Sequence, residues 1–290
     1  MEISDLVVFK EVASSGSITR AAENLNRVPS NVTTRIQKLE DELGKALFIR
    51  EKNRLKIAPA GKQLLDYANQ ILALAQAAKH QLQDSEPAGL LRIGSMDAVA
   101  ATRIVEPLQQ FHERYPSVQL NMRSAPTGLL IEEVLQGNLD LALVADPAKD
   151  SRLGIQPMFD EELILVSSLS HPPIKSPKDL GEQPTVIGFN PKCAYRNRLT
   201  SWLQAGHCIP RVVEINSYHT MLSCVAAGMG VCMVPKALLD TYTFSNSVQR
   251  HTLSRKWSHT NTALIWRKDA FTPAMKAFAE VLTPNTQAIA

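Results

Sequence analysis

SITRAAENLNRVPSNVTTRIQKLEDEL, residues 17–43, is the stretch that decides the fold of the N-terminal part of the chain. Its first third predicts a short amphipathic helix that ends near Asn24 and is followed by a break at residues 26–29. A second helix is predicted to begin near Pro29, since the missing N–H of proline would have no partner in a first turn. Ser30 or Asn31 is expected to cap this helix. Two helices joined by a tight turn are typical of a helix-turn-helix.

The second helix carries two different sets of side chains. Apolar residues recur every three or four positions and predict one buried face, formed by Val32, Ile36, Leu39 and Leu43. The opposite face is expected to hold hydroxyl, amide and cationic groups and no carboxylate, on Asn31, Thr34, Arg35 and Lys38. Such groups suit base edges and phosphates, which predicts DNA binding through Ser17, Thr19, Ser30, Asn31, Thr33, Thr34, Arg35 and Lys38. The alternative is an ordinary surface helix with a solvated polar face.

Positive charge is concentrated in the same region. The 290-residue chain has a net charge of only +3, whereas residues 27–62 hold nine Lys or Arg against four Asp or Glu. The remainder of the chain is therefore slightly acidic. A basic N-terminal module on a near-neutral body is the expected footprint of a DNA-binding head.

A short hairpin is predicted after Gly44. Residues 47–49 and 55–57 read as two strands, and residues 51–54 as the turn between them. Cations on such a wing grip phosphate or enter the minor groove, although solvated hairpin charges are an equally simple explanation. The wing residues that we predict to bind DNA are Arg50, Lys52 and Arg54.

A long helix is predicted over residues 59–83. Its apolar positions are spaced alternately by four and three, which is a heptad seam. We predict a dimerisation helix, the alternative being a helix that packs back on its own domain. The seam consists of Leu64, Ala68, Ile71, Ala75, Ala78 and Leu82.

Strands and helices alternate after a linker at residues 84–89. The predicted elements include one helix over residues 99–115 and a strand over residues 162–166. Near-continuous apolar strands between helices predict parallel-type sheets covered on both faces. Ligands of such sheets lie beyond the carboxyl ends of the strands, near helix N-termini.

Several classes of protein are excluded by what the sequence lacks. Glu2 and Asp5 lie where an export signal would need positive charge, and no stretch approaches a membrane span, so we predict a cytoplasmic protein without a membrane partner. The four cysteines form no CxxC pair and no zinc spacing, and we predict neither a metal nor a cofactor. No P-loop, GxGxxG, GxSxG or HExxH is present, so we predict no enzyme.

The chain resembles the LysR-type transcriptional regulators. Residues 1 to about 65 resemble their winged helix-turn-helix in LVVFKEVASSGSITRAAENL, TTRIQKLEDELGKALFIR and LKIAPAG, and the rest is similar to their effector domain in LLRIG, NLDLALV and VAAGMGVCMVP. The family usually has Ser-Gln-Pro/Ser-Ala-Val-Ser where this chain has VPSNVT at residues 28–33, so a different DNA sequence is expected. RVPSNVTTRI also resembles a subgroup linked to amine, notably putrescine, metabolism.

The resemblance implies a fold and a mode of action. It implies a winged helix-turn-helix at residues 1–58, a linker and dimerisation helix at 59–87, and an α/β effector domain at 88–290 like a periplasmic binding protein. Subdomain I would be residues 88–161 and 266–290, subdomain II residues 162–265, and the effector would lie between them. The regulator would bind double-stranded promoter DNA as a homodimer or homotetramer. Its effector would change DNA bending or contact with RNA polymerase.

Loops at strand ends are expected to place effector-binding residues near that cleft: Ser95, Met96, Asp97, Thr127, Asn190, Cys193, Tyr195, Arg196, Tyr218 and His219. The hydroxyls of Ser95 and Thr127 beside helix N-termini favour an anionic ligand group, whereas Asp97 favours an amine. An amino acid or an amine derivative would satisfy both, and a plain capping or loop role is the alternative for each residue. Two other functions are a redox switch that pairs Cys193 with Cys208, and a solute-binding protein of a transporter.

Overall fold

The computed structural model describes residues 1–51, 54–82, 86–243 and 245–283, and the chain divides into two compact units. Unit 1 comprises residues 1–85 with residues 136–138, and unit 2 comprises residues 86–135 and 139–290. None of the helices in the described ranges is long and apolar enough to cross a membrane.

Within its described residues, unit 1 consists of four helices and a two-stranded antiparallel hairpin. The elements are α1 (Ile3–Ser15), α2 (Ile18–Asn24), α3 (Pro29–Leu43), β1 (Phe48–Glu51), β2 (Arg54–Ile57) and α4 (Pro59–Leu82). Ser17 caps α2 by accepting a hydrogen bond from the Arg20 N–H at 3.4 Å. The cap predicted for α3 is wrong, because Val28 is the N-cap residue and Pro29 comes next, so Ser30 and Asn31 already lie inside the helix.

The core of unit 1 is formed by the buried faces of α1, α3 and α4. Val32, Ile36 and Leu39 are buried, as predicted, and pack with Phe9, whereas Leu43 stays 40% exposed. The Glu40 carboxylate fixes the start of the hairpin, since its Oε1 accepts the Leu47 N–H at 2.7 Å and the Phe48 N–H at 3.2 Å.

The residues of the predicted heptad seam lie on two different faces of helix α4. Ala68 is fully buried in the core of unit 1, and Leu64 packs against that core, so neither is free for a partner. Their inward position follows from the 3.6-residue period, because they share a face with Leu65 and Leu72. The apolar side chains that remain exposed lie at steps of four and three: Tyr67, Ile71 and Leu74, with Ala78 further along. The side chain of Leu82 lies outside the described residues.

Unit 2 contains nine strands and eight helices within its described residues. The strands are β3 (Gly89–Ser95), β4 (Val118–Ser124), β5 (Leu141–Ala145), β6 (Leu153–Ser168), β7 (Thr185–Gly188), β8 (Arg211–Glu214), β9 (Cys232–Pro235), β10 (Val248–His251) and β11 (His259–Arg267). The helices are α5 (Asp97–Thr102), α6 (Val105–Arg114), α7 (Thr127–Leu135), α8 (Ala194–Ala205), α9 (Tyr218–Ala226), α10 (Lys236–Thr241), α11 (Arg255–Ser258) and α12 (Pro273–Leu282).

The main sheet of unit 2 is mixed rather than parallel throughout. Its strand order is β10-β6-β11-β5-β3-β4, and β9 also pairs with β6. Strand β3 is parallel to β4 and β5, and β7 is parallel to β8, whereas β6, β9, β10 and β11 pair antiparallel. Strand β6 crosses the predicted subdomain boundary between residues 161 and 162. The predicted boundary between residues 265 and 266 falls inside β11, where Thr262 to Trp266 pair with β5.

Two sequence predictions in unit 2 are wrong in extent. The helix predicted over residues 99–115 is two helices, α5 and α6, with the break at Arg103 and Ile104 and with Pro107 in the first turn of α6. A proline ring clashes with the carbonyl four residues earlier, here that of Arg103, which ends α5. The strand predicted over residues 162–166 is the 16-residue β6, whose first half is only partly buried and therefore lacks a continuous apolar run.

Candidate functional site

The first candidate site is the exposed surface of α2 and α3. The side chains of Thr19, Ser30, Asn31, Thr33, Thr34 and Lys38 are exposed, and Ser17 is half-buried as the cap of α2. The Thr33 hydroxyl donates to the Pro29 carbonyl and the Thr34 hydroxyl to the Ser30 carbonyl, both at 3.0 Å. These two threonines therefore direct their hydroxyl protons into the helix and leave their methyl groups and oxygen lone pairs for an outside partner.

Contrary to the prediction from sequence, Arg35 does not lie opposite the buried face of α3. Its guanidinium donates to the Asp5 carboxylate at 2.6 Å and to the Ser4 hydroxyl at 2.9 Å, and its side chain is 30% exposed. A step of 100° per residue puts Arg35 close to Leu39, at the edge of the buried stripe. Arg35 thus connects α3 to α1, and Asp5 is only 2% exposed.

Two exposed cations beside α3 were missed in the sequence analysis. Arg20 lies on α2, and Arg27 lies in the turn before α3. For Arg27, the excess of positive charge in residues 27–62 was a signal in the sequence. Helical periodicity could not show where its side chain points, because Arg27 lies in a turn. Strands β1 and β2 carry Arg50 and Arg54, whose side chains lie outside the described residues, as does the whole of Lys52.

The second candidate site is a cavity of about 730 Å³ in unit 2. Its walls come from residues on both sides of the predicted subdomain boundary, with α5 and α7 on one side and α8, α9 and α10 on the other. The predicted effector residues that line it are Met96, Asp97, Thr127, Asn190, Cys193, Tyr195, Tyr218 and His219. Ser95 and Arg196 do not line this cavity.

The anion-binding end predicted for the cleft is closed by the protein's own hydrogen bonds. Ser95 is fully buried, and its hydroxyl donates to the Met96 carbonyl at 3.0 Å. The Thr127 hydroxyl accepts the Ala145 N–H at 3.3 Å and donates to Met96 Sδ at 3.2 Å. The Gly128 N–H, at the start of α7, donates to the Lys192 carbonyl at 3.0 Å. These groups are therefore already satisfied and offer little to a carboxylate.

The Arg196 guanidinium also turns away from a ligand. It donates to the Phe189 carbonyl at 2.7 Å and lies 3.4 Å from the Glu214 carboxylate. Arg123, which does line the cavity, pairs with Glu133 at 3.0 Å. Both cations therefore have internal partners.

Asp97 is the unpaired charge of the cavity. It is the first residue of α5, its side chain is exposed, and within the described part of the chain it makes no hydrogen bond or ion pair. A carboxylate at a helix N-terminus is stabilised by the helix dipole. The cavity thus presents a negative group at its wall.

Aromatic side chains form much of the remaining wall. The rings of Phe189 and Tyr218 meet edge to face at 4.8 Å, and those of His219 and Tyr242 at 5.6 Å. Burial raises the pKa of Tyr218 well above its usual value, so its phenol stays neutral and can donate a hydrogen bond. Tyr242 was missed because it follows the six-residue helix α10, which is too short for a periodic signal.

The alternative of a redox switch would require Cys193 and Cys208 to pair, and both are free thiols in this arrangement. Burial raises the pKa of the Cys193 thiol, although the N–H groups of Tyr195 and Arg196 act against that rise. Cys193 precedes α8 and Cys208 follows it, and 12 helical residues span roughly 18 Å. Because a disulfide needs Cα atoms about 4–7 Å apart, this pair would require α8 to unwind. The described residues also contain no group of three or more His, Cys, Asp or Glu that could hold a metal ion.

Two family models match the chain. Residues 3–62 match the bacterial regulatory helix-turn-helix protein of the lysR family, and residues 84–287 match the LysR substrate binding domain. GltR, an HTH-type transcriptional regulator of Bacillus subtilis (strain 168), is 36% identical over 281 residues, which are 96% of this chain and 95% of GltR. YofA of the same organism is 35% identical over 283 residues, covering 97% of this chain and 98% of YofA.

Solved structures share the fold along nearly the whole chain. A full-length OxyR variant from Pseudomonas aeruginosa has a TM-score of 0.77 at 22% identity, covering 97% of this chain and 94% of that chain. Full-length CbnR in complex with its target DNA has a TM-score of 0.65 at 19% identity, covering 97% and 99%. With both domain models and relatives above 30% identity along its length, this chain belongs to the LysR family of bacterial transcriptional regulators.

Proposed function

We propose that the chain binds promoter DNA through α2, α3 and the hairpin wing, and that a small molecule in the cavity of unit 2 controls transcription. The observation that carries the effector part is the cavity of about 730 Å³ with the unpaired carboxylate of Asp97 at its wall. The exposed hydroxyl, amide and cationic groups of α2 and α3 support the DNA-binding part. Regulators of this family are in general not enzymes, and no catalytic role is proposed.

The charge balance of the cavity favours a cationic effector. Asp97 is free to pair with an ammonium group, whereas Arg123 and Arg196 are held by internal partners. Aromatic faces such as that of Tyr218 add cation–π attraction for the same group. We therefore propose an amine with an apolar body. An amino acid fits less well, because the groups expected to bind its carboxylate are already hydrogen-bonded.

Dimerisation through α4 is part of the proposal. The exposed apolar side chains of Tyr67, Ile71 and Leu74 lie on one face of a 24-residue helix. Burying such a stripe against a second copy would remove it from water and bring two copies of α3 to two DNA half-sites. A tetramer would join two such dimers, and contact with RNA polymerase would follow from the altered arrangement on DNA. A cytoplasmic location stays a prediction.

A thermal-shift experiment tests the effector proposal. Putrescine and tyramine represent amines, and glutamate and benzoate represent carboxylates. A ligand that binds only the native state raises the midpoint of unfolding, so the amines should raise Tm and the carboxylates should not. Asp97→Asn keeps the shape and removes the charge, and it should abolish the amine effect.

The matched control is Glu106→Gln, an exposed acid in the first turn of α6 that does not line the cavity. This variant should keep the amine effect. Stabilisation by the carboxylates alone, or an amine effect that survives in Asp97→Asn, would show that the amine proposal is wrong.

A further inference from the structure

We propose that the effector is a monoamine, with one positive charge on an apolar body, and that the cavity of unit 2 discriminates against diamines. The inference rests on the proposed function, because it specifies the class of amine that the same cavity would bind. The residue that decides between the two classes is Ala101, which lies beside Asp97 on α5.

The cavity wall carries few charges. Among the described residues that line the cavity, Asp97 is the only Asp or Glu and Arg123 is the only Lys or Arg. The Arg123 guanidinium pairs with Glu133 at 3.0 Å, and Glu133 does not line the cavity. The wall therefore offers one carboxylate to a ligand ammonium and none to a second one.

Phenol, thiol and imidazole groups of the wall add no negative charge near neutral pH. Burial raises the pKa values of Tyr195, Tyr218 and Cys193, so all three side chains stay protonated. The imidazole of His219 is neutral or positive in its two protonation states. These groups cannot offset a second positive charge on the ligand.

The surface of α5 next to Asp97 is apolar. Asp97 and Ala101 are both exposed, both line the cavity and lie four residues apart, so they share one face of the helix. Side chains at this spacing have Cβ atoms about 5–6 Å apart. Helix α10 packs against α5 and adds Leu238 to the cavity wall. A ligand whose ammonium group meets Asp97 therefore has apolar side chains beside its carbon atoms.

A second ammonium group gains nothing from such a wall. Placed against Ala101 and Leu238, it would lose hydration without meeting a counter-charge, and directed into bulk water it would make no contact with the protein. A methyl group in the same place would be removed from water, which favours binding. The two ends of the effector should therefore differ, with an ammonium group at Asp97 and an apolar group at the other end.

Isothermal titration calorimetry of the full chain with pentylamine and putrescine tests the inference. The two ligands have the same number of heavy atoms, and pentylamine ends in a methyl group where putrescine has its second ammonium group. At constant ionic strength and neutral pH, the wild type should bind pentylamine about fivefold more tightly than putrescine. Asp97→Asn should weaken the binding of both amines.

The variant Ala101→Asp tests the same inference by a gain of function. It adds a second carboxylate one turn along α5, at a spacing that lets a four-carbon diamine reach both acids. This variant should reverse the order and bind putrescine more tightly than pentylamine. Ala101→Asn is the matched control, because it has the shape of the Asp variant without the charge, and pentylamine should remain its tighter ligand.

The outcomes separate this inference from the proposed function. If the wild type binds putrescine as tightly as pentylamine, or more tightly, the monoamine inference is overturned while the amine proposal stands. A folded Ala101→Asp variant that still prefers pentylamine would also overturn it, because the number of carboxylates would then not decide the preference. The comparison in the wild type holds whether or not the variants fold. If neither amine binds the wild type, the proposed amine effector fails and this inference fails with it.

Discussion

Arg35 supports the DNA-binding unit from the side of α3 that faces α1. Its partner Asp5 is 2% exposed, so removing the cation leaves a buried carboxylate without its counter-charge. Breaking such a pair costs more than breaking a surface pair. We therefore expect Arg35 to affect DNA binding first through the position of α3.

We expect Arg35→Ala to destabilise the protein by about 2 kcal/mol, between the values for surface and buried pairs, because the Arg35 side chain is partly exposed. Urea unfolding measures the change. The double variant Asp5→Ala with Arg35→Ala should recover part of the loss, since no unpaired carboxylate remains. A wild-type stability in Arg35→Ala, combined with a relaxed base preference, would instead support direct base contact.

His251 gives the effector domain a defined response to acid. Its Nδ1 accepts the Ile174 N–H at 3.1 Å, and its Nε2 bonds to the Ser167 hydroxyl at 2.8 Å. Burial, and then the nearby His171, lower the pKa of His251 below its ordinary value near 6.5. The native state therefore holds the neutral ring, whereas the unfolded chain takes up a proton at higher pH.

The sign of this effect follows from proton binding. Above about pH 6.5 both states hold a neutral His251 and its contribution to stability is complete, and it is lost as the pH falls through the lowered pKa. Unfolding free energies measured from pH 7.5 to 5 should fall less steeply in His251→Gln than in the wild type. His112→Gln, a change at an exposed histidine, should keep the wild-type slope. Identical slopes in all three proteins would contradict the assignment.

The elements of unit 1 could be predicted from sequence because their signals are local. The stripe of Val32, Ile36 and Leu39 and the cap at Ser17 lie within one or two turns of the residues they organise. The Arg35 contact could not be predicted, since Asp5 lies 30 positions away in the chain. The seam of α4 was placed partly wrong for a similar reason, because a heptad pattern does not show which apolar face the core of unit 1 already covers.

For the candidate cavity, too, the sequence predicted local features but not contacts between distant parts of the chain. Most of the residues predicted from strand ends, including Asp97 and Tyr218, do line the cavity. The prediction succeeds for them because the topology of the sheet brings these strand ends together. The direction of each side chain was not available, and Ser95 turned out to bond to the next residue's carbonyl. Helix α10 is too short to show a helical periodicity in the sequence, so the part of the cavity wall that it forms was not predicted.

Helix α4 permits a direct test of the dimer. Ile71 is 37% exposed on the apolar stripe, whereas Ala68 is fully buried inside unit 1. Ile71→Asp should shift sedimentation toward monomer with little loss of thermal stability, because the charge remains in water within one chain. Ala68→Asp should instead destabilise unit 1, since it buries an unpaired carboxylate. An intact oligomer of Ile71→Asp with a lowered Tm would indicate that the stripe packs within the chain.

For the chain as a whole, we expect an effector to act by shifting the arrangement of the two predicted subdomains of unit 2. Two contacts at the rim of the cavity join α7, in the predicted subdomain I, to the loop before α8, in the predicted subdomain II. The Gly128 N–H donates to the Lys192 carbonyl at 3.0 Å, and Lys192 Nζ lies 2.6 Å from Glu132 Oε1. We call these two contacts the rim latch.

Gly128 fits the rim latch because it has no side chain. A Cβ at this position would lie 3.0 Å from Lys192 Cβ and 3.4 Å from the Lys192 carbonyl oxygen. Gly128→Ala should therefore weaken the latch even though alanine favours the helix by about 1 kcal/mol. Lys192→Met should weaken it by removing an ion pair that is worth up to about 1 kcal/mol at this exposed site.

Hydrogen exchange at the Gly128 amide reports the rim latch directly, because this amide is protected by the Lys192 carbonyl and not by its own helix. In Lys192→Met we expect hydrogen exchange at that amide to accelerate by about two- to fivefold. This corresponds to a loss of about 0.5–1 kcal/mol in the free energy that keeps the rim latch closed. The amide of Val134, inside α7, should keep its rate, which separates opening of the latch from fraying of the helix. The exchange of charges in Glu132→Lys with Lys192→Glu restores the pair and should restore most of the protection. Unchanged protection of Gly128 in Lys192→Met would show that the ion pair contributes nothing to closure and that the backbone contact alone joins the two subdomains at this rim.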